Sequence, residues 1–287
     1  MKYVEPLFRP PAEADSLIFQ VAYGCPHNRC RFCGMYKGVR YRLRPEDEVL
    51  AEIAEAGRRW PDERRVFLAD GDVMALPFER LAGYLDAMNR AFPKLARVNL
   101  YANGSSVMNR NEAELRVLRQ LKLTTLYLGL ESGSQEVLDL FGKTEQVEEM
   151  IAAVIRAQGL SFRCSVMILV GLGGSRQGER HAAGTIAAVN RMQPNLLSAL
   201  RYVEIPGMAQ PEGYETLSEY EAVAELRRMV AGFELERTVF RANHNSNPLP
   251  LAGRFPADRV RLLAELDAEL ASGNLDRQGP GELPLFL

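Results

Sequence analysis

The chain has 287 residues, of which 47% are hydrophobic and 25% charged, and its formal net charge is −2. This length allows a substantial buried core in one domain or two, and the composition is that of an ordinary globular protein. The balanced charge argues against a nucleic-acid partner. No run approaches about 18 consecutive apolar residues, and the first residues lack the apolar run of a signal peptide, so we expect no membrane partner and a cytoplasmic location.

Apolar periodicity predicts alternating strands and helices over most of the chain. The strands are predicted at 17–22, 65–69, 97–102, 124–130, 162–170 and 196–203. The helices between and after them are predicted at 45–59, 78–91, 110–121, 134–141, 146–158 and 178–191. This alternation indicates parallel βαβ units in an α/β fold, either a partial or complete barrel or an open doubly wound sheet. In each architecture, functional residues collect at the carboxyl ends of the strands.

The alternation stops near residue 205, where a stretch rich in proline and glycine follows. Beyond it, helices are predicted near 215–232 and 256–271. We therefore expect a barrel over residues 1–210 and a small C-terminal helical extension over 211–287, packed on the barrel and not independent.

A polar segment lies between the last two predicted helices. Residues 241–247 contain His244 together with an arginine, a serine and three asparagines. The segment is either a turn-rich surface loop or a cover over the barrel mouth that donates hydrogen bonds to substrate, with His244 as an acid or base. The sequence leaves both interpretations open.

Three of the four cysteines, Cys25, Cys30 and Cys33, form the pattern Cys-x4-Cys-x2-Cys directly after the first predicted strand. Thiolate sulfur suits iron–sulfur clusters or zinc. One interpretation is a structural zinc with His27 as fourth ligand, and another is a [2Fe–2S] cluster that uses Cys164. A third is a [4Fe–4S] cluster with three protein ligands and one open iron. Cys164 lies in an apolar strand, where a buried core thiol is the simpler interpretation.

The cysteine loop resembles that of the radical S-adenosylmethionine (SAM) superfamily, whose usual pattern is Cys-x3-Cys-x2-Cys after the first strand of a partial (β/α)6 barrel. Phe32 precedes the last cysteine, and Gly24-Cys25-Pro26 opens the loop, as in the family. The spacing departs from the pattern by one residue. The resemblance implies a partial (β/α)6 barrel of the TIM type with a C-terminal extension, and a [4Fe–4S] cluster on Cys25, Cys30 and Cys33.

Two further motifs extend the resemblance to the ends of the second and fourth predicted strands. Asp70-Gly71-Asp72 takes the place of a Gly-Gly-Glu-like turn, with Asp72 aligned to the acid that holds the SAM amino group. The turn Gly129-Leu130-Glu131-Ser132-Gly133-Ser134 is similar to one in the branch that includes methylthiotransferases and coproporphyrinogen oxidase, where the glutamate faces SAM.

The ends of the fifth and sixth predicted strands complete the set. The segment 167–174 resembles the motif that supports adenine, and 201–207 resembles the sixth-strand ending of the same branch. By this resemblance, the residues that contact SAM are Asp70, Gly71, Asp72, Glu131, Ser132, Val170, Gly171 and Arg201.

The resemblance implies an enzyme that reductively cleaves SAM to a 5′-deoxyadenosyl radical, which abstracts hydrogen from an unidentified small molecule. Six cations surround the cysteines and either offset the cluster charge or form a basic rim for an anionic substrate or an electron donor such as flavodoxin or ferredoxin. They are Arg29, Arg31, Lys37, Arg40, Arg42 and Arg44. The alternatives are an iron–sulfur electron carrier without SAM chemistry, a zinc-bearing binding module, or an RNA- or cofactor-modifying member of the superfamily.

Overall fold

The computed structural model describes residues 3–277, which divide into two compact units that interleave in sequence. The first unit contains the described residues up to Asn28, with Met35–Leu128 and Ala152–Cys164. The second contains Arg29–Gly34, Gly129–Ile151 and the described residues from Ser165 onward. The division into a barrel of 1–210 and an extension of 211–287 stays a prediction, and its outermost parts, residues 1–2 and 278–287, lie outside the described residues.

Strands and α-helices alternate along the described chain. The strands are β1 (Leu17–Gln20), β2 (Ala22–Tyr23), β3 (Arg42–Leu43), β4 (Arg65–Ala69), β5 (Arg97–Ala102), β6 (Leu123–Glu131), β7 (Arg163–Val170), β8 (Leu196–Arg201), β9 (Val239–Ala242) and β10 (Leu251–Arg254). The helices are α1 (Glu46–Arg59), α2 (Phe78–Ala91), α3 (Gly104–Met108), α4 (Glu112–Gln120), α5 (Gln135–Leu140), α6 (Val147–Gly159), α7 (Gly174–Met192), α8 (Glu219–Gly232) and α9 (Arg259–Ser272).

The first unit contains a parallel sheet. Strand β4 pairs with β1 and β5, and β5 pairs with the first part of β6, all in parallel. Residues Val66–Ala69 of β4 are buried without alternation, which is typical of parallel strands covered on both faces. The short strands β2 and β3 pair in antiparallel fashion, and the chain between them carries the three cysteines.

The second unit continues with parallel pairs and ends in an antiparallel one. Strand β8 pairs in parallel with β7 and β9, and β9 pairs antiparallel with β10. Strands β9 and β10 were not predicted, because their sequences alternate between buried and exposed residues over only four positions each. The six predicted strands and eight predicted helices are confirmed, with ends shifted by at most four residues.

Local sequence signals explain several helix boundaries. Helix α1 begins after Pro45 with three acidic residues in its first turn, where the helix dipole favours negative charge. Helices α4 and α8 each begin with a capping box, formed by Asn111 with Glu114 and by Ser218 with Glu221. None of the helices in the described chain is long and apolar enough to cross a membrane.

A buried carboxylate joins two strands of the first unit to the segment before β1. Glu13 is 2% exposed and accepts hydrogen bonds from Ser16 Oγ at 2.6 Å and Asn99 Nδ2 at 2.7 Å. The Tyr127 hydroxyl donates to the same carboxylate. Because Asn99 lies in β5 and Tyr127 in β6, one acid satisfies donors from both strands.

We expect Glu13→Ala to lower the unfolding free energy by about 3 kcal/mol, because three donors, two of them buried, would lose their acceptor. The corresponding decrease in thermal midpoint is roughly 6–12 °C for a chain of this size. Glu13→Gln retains one acceptor oxygen and should lose less than half as much. Equal decreases for the two variants, measured by calorimetry, would show that the hydrogen bonds contribute little.

Candidate functional site

Cys25 lies in the first unit, directly against the turn that follows β4. A Cβ atom added at Gly71 would lie 2.3 Å from Cys25 Cβ and 2.7 Å from its Sγ. The Gly71 N–H donates to the Gly24 carbonyl at 3.1 Å, which fixes this close approach. Only glycine fits there, so the predicted SAM-binding turn and the first cysteine are packed together.

Cys30 and Cys33 lie in the second unit and share one turn, in which the Cys33 N–H donates to the Cys30 carbonyl at 3.4 Å. The residues between them attach this turn to the unit. The Arg31 N–H donates to the Phe141 carbonyl at 2.7 Å, and the Phe32 and Phe141 ring centroids lie 6.2 Å apart. All three loop cysteines are half-buried, which suits ligands of a group enclosed by protein.

Asp70, at the end of β4, combines a strained backbone with a buried acid. Its φ is +85°, a conformation that residues other than glycine rarely adopt. The residue is 1% exposed, and neither carboxylate oxygen has a hydrogen-bond partner within the described residues. Burial raises the pKa of Asp70 to about 6, and the neighbouring Gln20 and Tyr36 limit the rise. Such strain and lost solvation are typical of ligand-binding sites.

The Asp72 carboxylate is engaged within the first unit. Its Oδ2 lies 3.0 Å from His27 Nε2, and its Oδ1 accepts a hydrogen bond from Ser106 Oγ at 2.9 Å. Asn103 Nδ2 is 3.5 Å from Oδ2. The family resemblance assigned the contact with the SAM amino group to Asp72. The acid without hydrogen-bond partners in this turn, among the described residues, is Asp70.

Glu131, at the end of β6, repeats the features of Asp70 in the second unit. Its φ is +64°, it is 4% exposed, and Oε2 has no hydrogen-bond partner in the described part of the chain. Burial raises the pKa of Glu131 to about 7, and Lys143 counteracts the rise. The Lys143 Nζ lies 3.9 Å from Oε1 and 5.9 Å from the centroid of the Phe32 ring. The sequence analysis missed Lys143, which follows Glu131 by twelve residues.

Ser132 and Gly171 have their polar groups engaged inside the second unit. Ser132 is fully buried, and its Oγ lies 2.8 Å from His181 Nδ1. Gly171 has a φ of +84°, and its N–H donates to Glu225 Oε1 at 2.6 Å. Neither His181 nor Glu225 was identified from the sequence, because they lie 49 residues from Ser132 and 54 residues from Gly171, respectively.

Val170 and Arg201, at the ends of β7 and β8, are buried at 1% and 5% exposure. The Arg201 guanidinium donates to the Leu217 carbonyl at 3.1 Å and lies 3.8 Å from Glu219. Burial lowers the pKa of Arg201, and Glu219 raises it in opposition. The guanidinium therefore contacts the segment that leads into α8.

The segment 241–247 contributes hydrogen bonds within the second unit. His244 Nδ1 lies 2.8 Å from Ser246 Oγ, which accepts a hydrogen bond from the Arg201 N–H at 3.2 Å. Asn247 Nδ2 donates to the Ala199 and Ala242 carbonyls. Burial lowers the pKa of His244. These contacts tie the segment to the end of β8.

Cys164 lies in β7 and is fully buried. Burial raises the pKa of its thiol to about 12, which disfavours the thiolate form that binds metals. This finding supports the interpretation of Cys164 as a core residue.

Solved structures share this fold. Coproporphyrinogen III oxidase (HemN) from Escherichia coli, described as a radical SAM enzyme, is 17% identical with a TM-score of 0.61, over 75% of this chain and 51% of that one. Methylornithine synthase (PylB) is 14% identical with a TM-score of 0.54, over 88% of this chain and 81% of that one. The α/β class of the partial TIM-barrel type is thereby confirmed.

The fold and the three-cysteine loop together define an enzyme class, that of the radical SAM type. The family model of the Radical SAM superfamily matches residues 19–183, more than half of the chain. The chain belongs to the radical SAM superfamily.

Curated relatives come from the branch that the turn after β6 indicated. The heme chaperone HemW of Bacillus subtilis (strain 168) is 22% identical over 158 residues, covering 52% of this chain and 41% of the relative. The oxygen-independent coproporphyrinogen III oxidase of Salmonella typhimurium is 25% identical over 215 residues, covering 71% and 45%. The chain spans less than half the length of these relatives.

Enzymes of this superfamily use a [4Fe–4S] cluster and SAM, which confirms the predicted cofactors. The donor chemistry of the described residues suits both groups. Three half-buried cysteines supply the soft ligands that iron–sulfur clusters require. The buried carboxylates of Asp70 and Glu131 supply acceptors that a polar ligand would satisfy.

We expect Gly71→Ala to reduce cluster incorporation about tenfold, as is typical when a residue supporting a metal ligand is changed. The added methyl group would overlap Cys25 and displace its thiol. Gly83→Ala is the matched control, because a Cβ at Gly83 meets nothing within 4 Å. Iron and acid-labile sulfide are measured after anaerobic reconstitution. Normal cluster content in Gly71→Ala would show that this contact is not needed to position Cys25.

Proposed function

We propose that this chain reductively cleaves SAM at a [4Fe–4S] cluster held by Cys25, Cys30 and Cys33, and uses the 5′-deoxyadenosyl radical to abstract hydrogen from a substrate. The observation that carries the proposal is a pair of buried carboxylates on left-handed backbone at the ends of β4 and β6, in which both oxygens of Asp70 and Oε2 of Glu131 have no hydrogen-bond partner among the described residues. Each belongs to a unit that also contributes at least one of the three cysteines.

The chain's own residues have separable roles in this proposal. A buried carboxylate without a partner loses much of its solvation, and a bound ammonium group restores the lost interactions. Asp70 would therefore accept hydrogen bonds from the SAM amino group. Glu131 and Lys143 offer an acceptor and a cation to the other polar groups of SAM, and the Gly71 and Gly171 backbones allow close approach.

The remaining predicted contacts would support this arrangement from within the protein. Asp72 orients His27 beside Cys25, and Ser132 hydrogen-bonds to His181. Arg201 holds the segment before α8, and Val170 is buried directly before the turn that begins with Gly171. These side chains would therefore hold in place the residues that contact SAM.

The substrate is proposed to be anionic. Arg29 and Arg31 are exposed in the second unit, and Lys37, Arg40 and Arg42 are exposed in the first. The sixth cation, Arg44, is 4% exposed and engages Glu52 and the Gln20 carbonyl, so it has a structural role.

Exposed arginines suit carboxylates on a substrate, or an acidic electron donor such as flavodoxin or ferredoxin. The names of the curated relatives refer to coproporphyrinogen III and heme. A tetrapyrrole with carboxylate side chains is therefore the first substrate class to test.

The first test is formation of 5′-deoxyadenosine after anaerobic reconstitution, with SAM and dithionite, in the presence and absence of candidate tetrapyrroles. We expect product from the wild type and from Cys164→Ala, because Cys164 is a core residue. Cys30→Ala should lose the cluster and the product together. Retention of SAM cleavage in Cys30→Ala would refute the ligand assignment. Loss of the cluster in Cys164→Ala would favour a [2Fe–2S] electron carrier.

A second prediction separates the two acids of the turn after β4. Asp70→Asn should raise the KM for SAM about tenfold, because the amide replaces a charged acceptor. Its thermal midpoint should be unchanged or higher, since a buried carboxylate without a partner destabilises the folded state.

Asp72→Asn is the paired variant. It should lower the thermal midpoint by about 4 °C, because His27 and Ser106 lose a charged partner, while the KM for SAM changes less. The reverse pattern, with SAM binding lost only in Asp72→Asn, would support the assignment of the SAM amino group to Asp72 that the family resemblance implies.

A further inference from the structure

A buried chain of polar groups in the second unit links the turn after β6 to the turn after β7. Ser132 Oγ lies 2.8 Å from His181 Nδ1, and His181 Nε2 lies 3.5 Å from Glu225 Oε1. The same Glu225 oxygen accepts the Gly171 N–H at 2.6 Å. Helix α7 contributes the histidine and α8 the glutamate, so two helices connect two strand-end turns.

The directions of the hydrogen bonds follow from the donors available. Ser132 Oγ accepts the Ser134 N–H at 3.0 Å, so its own proton is available to His181 Nδ1. Burial lowers the pKa of His181 to about 4, and the ring is neutral at pH 7. The neutral ring then carries its proton on Nε2. This atom lies 3.5 Å from Glu225 Oε1, with the Leu169 backbone also beside the ring, and its contact with Glu225 is electrostatic, without the geometry of a hydrogen bond.

Ser132, His181 and Glu225 have the order of a hydrolytic triad, but their burial excludes that role. Ser132 and His181 are fully buried, and Glu225 is 4% exposed. A nucleophile must reach a substrate carbonyl. The chain of groups therefore acts on the protein itself.

Helix α7 makes additional contacts with the turn after β6. Thr185 Oγ1 accepts the Gly133 N–H at 3.0 Å. A Cβ at Gly133 would lie 2.1 Å from the Gly184 carbonyl oxygen, and one at Gly184 would lie 2.6 Å from the Gly133 oxygen. This backbone-to-backbone packing leaves the turn little freedom once α7 is in place.

We propose that His181 and Glu225 are positioning residues, which hold the turns after β6 and β7 in one geometry so that both can bind SAM. This inference rests on the proposed function, because it assumes that these turns contact SAM. Ser132 and Gly171 transmit the effect, since their polar groups are held by His181 and Glu225. The 3.5 Å electrostatic contact of His181 Nε2 with Glu225 Oε1 couples the two ends in series, so breaking the chain at either end releases the same constraint.

The experiment measures the Kd for SAM by equilibrium dialysis with labelled SAM on the reconstituted protein with its cluster oxidised. Glu225→Leu leaves the Gly171 N–H without its acceptor and should raise the Kd about tenfold. Glu225→Gln keeps an acceptor oxygen of the same shape and should restore the Kd to near the wild-type value. This rescue separates a positioning effect from loss of the fold.

Ser132→Ala breaks the other end of the chain and should also raise the Kd about tenfold. The double variant Ser132→Ala/Glu225→Leu should have a Kd for SAM no higher than about that of the single variant that binds more weakly, because the groups act in series. Thr238→Val is the matched control. It deletes another buried hydroxyl of the second unit, one that donates to the Pro194 carbonyl, and should leave the Kd unchanged.

Three outcomes would overturn the inference. The first is a wild-type Kd for SAM in both Ser132→Ala and Glu225→Leu. The second is a double variant whose fold-increase in Kd is the product of the two single increases. The third is an equal increase in Kd in Thr238→Val. Absence of SAM binding by the wild type would refute the proposed function itself, which is a different result. If Ser132→Ala fails to fold, the comparison of Glu225→Leu with Glu225→Gln decides alone.

Discussion

Burial of the Asp70 and Glu131 carboxylates, with both Asp70 oxygens and Glu131 Oε2 lacking a hydrogen-bond partner among the described residues, is the constraint on which the candidate site depends. Both acids lie where the backbone leaves a strand at positive φ, so unfavourable backbone and unfavourable solvation coincide at the same residues. The surrounding structure must therefore hold these two residues in their unfavourable conformations. It does so with close contacts at Gly71, where only glycine fits against Cys25, and at Gly129, against which the Glu131 carboxylate lies.

The strands that lead to these acids were predictable because their physical signal is local. Strand β4 is a short apolar run buried at four of its five positions, and such runs indicate strands covered on both faces. Strands β9 and β10 were not predicted because each is only four residues long and alternates between buried and exposed positions. Pairing of β9 with β8 and with β10 stabilises them. Their stability comes from tertiary contacts that no local pattern records.

For the candidate site, the sequence predicted which turns carry it but not the state of each side chain. The order of motifs placed Asp70 and Asp72 together. Only the structure shows that Asp72 makes close polar contacts with three residues, whereas Asp70, with Gln20 and Tyr36 nearby, has no hydrogen bond of good geometry among the described residues. Lys143, in the connection between α5 and α6, and His181, in α7, were not identified because a lone lysine or histidine carries no motif. Their significance arises from contacts with residues distant in sequence.

The extra residue of the Cys-x4-Cys spacing and the use of Asp72 are connected. The longer loop contains His27, which lies 3.0 Å from Asp72, and Asn28, whose amide donates to the Tyr36 carbonyl at 2.7 Å. These contacts attach the loop to the first unit just after Cys25. An acid that anchors the loop in this way has fewer acceptor positions left for a ligand. The loop thus engages Asp72, and Asp70, two residues earlier, is the acid whose oxygens both lack a hydrogen-bond partner among the described residues.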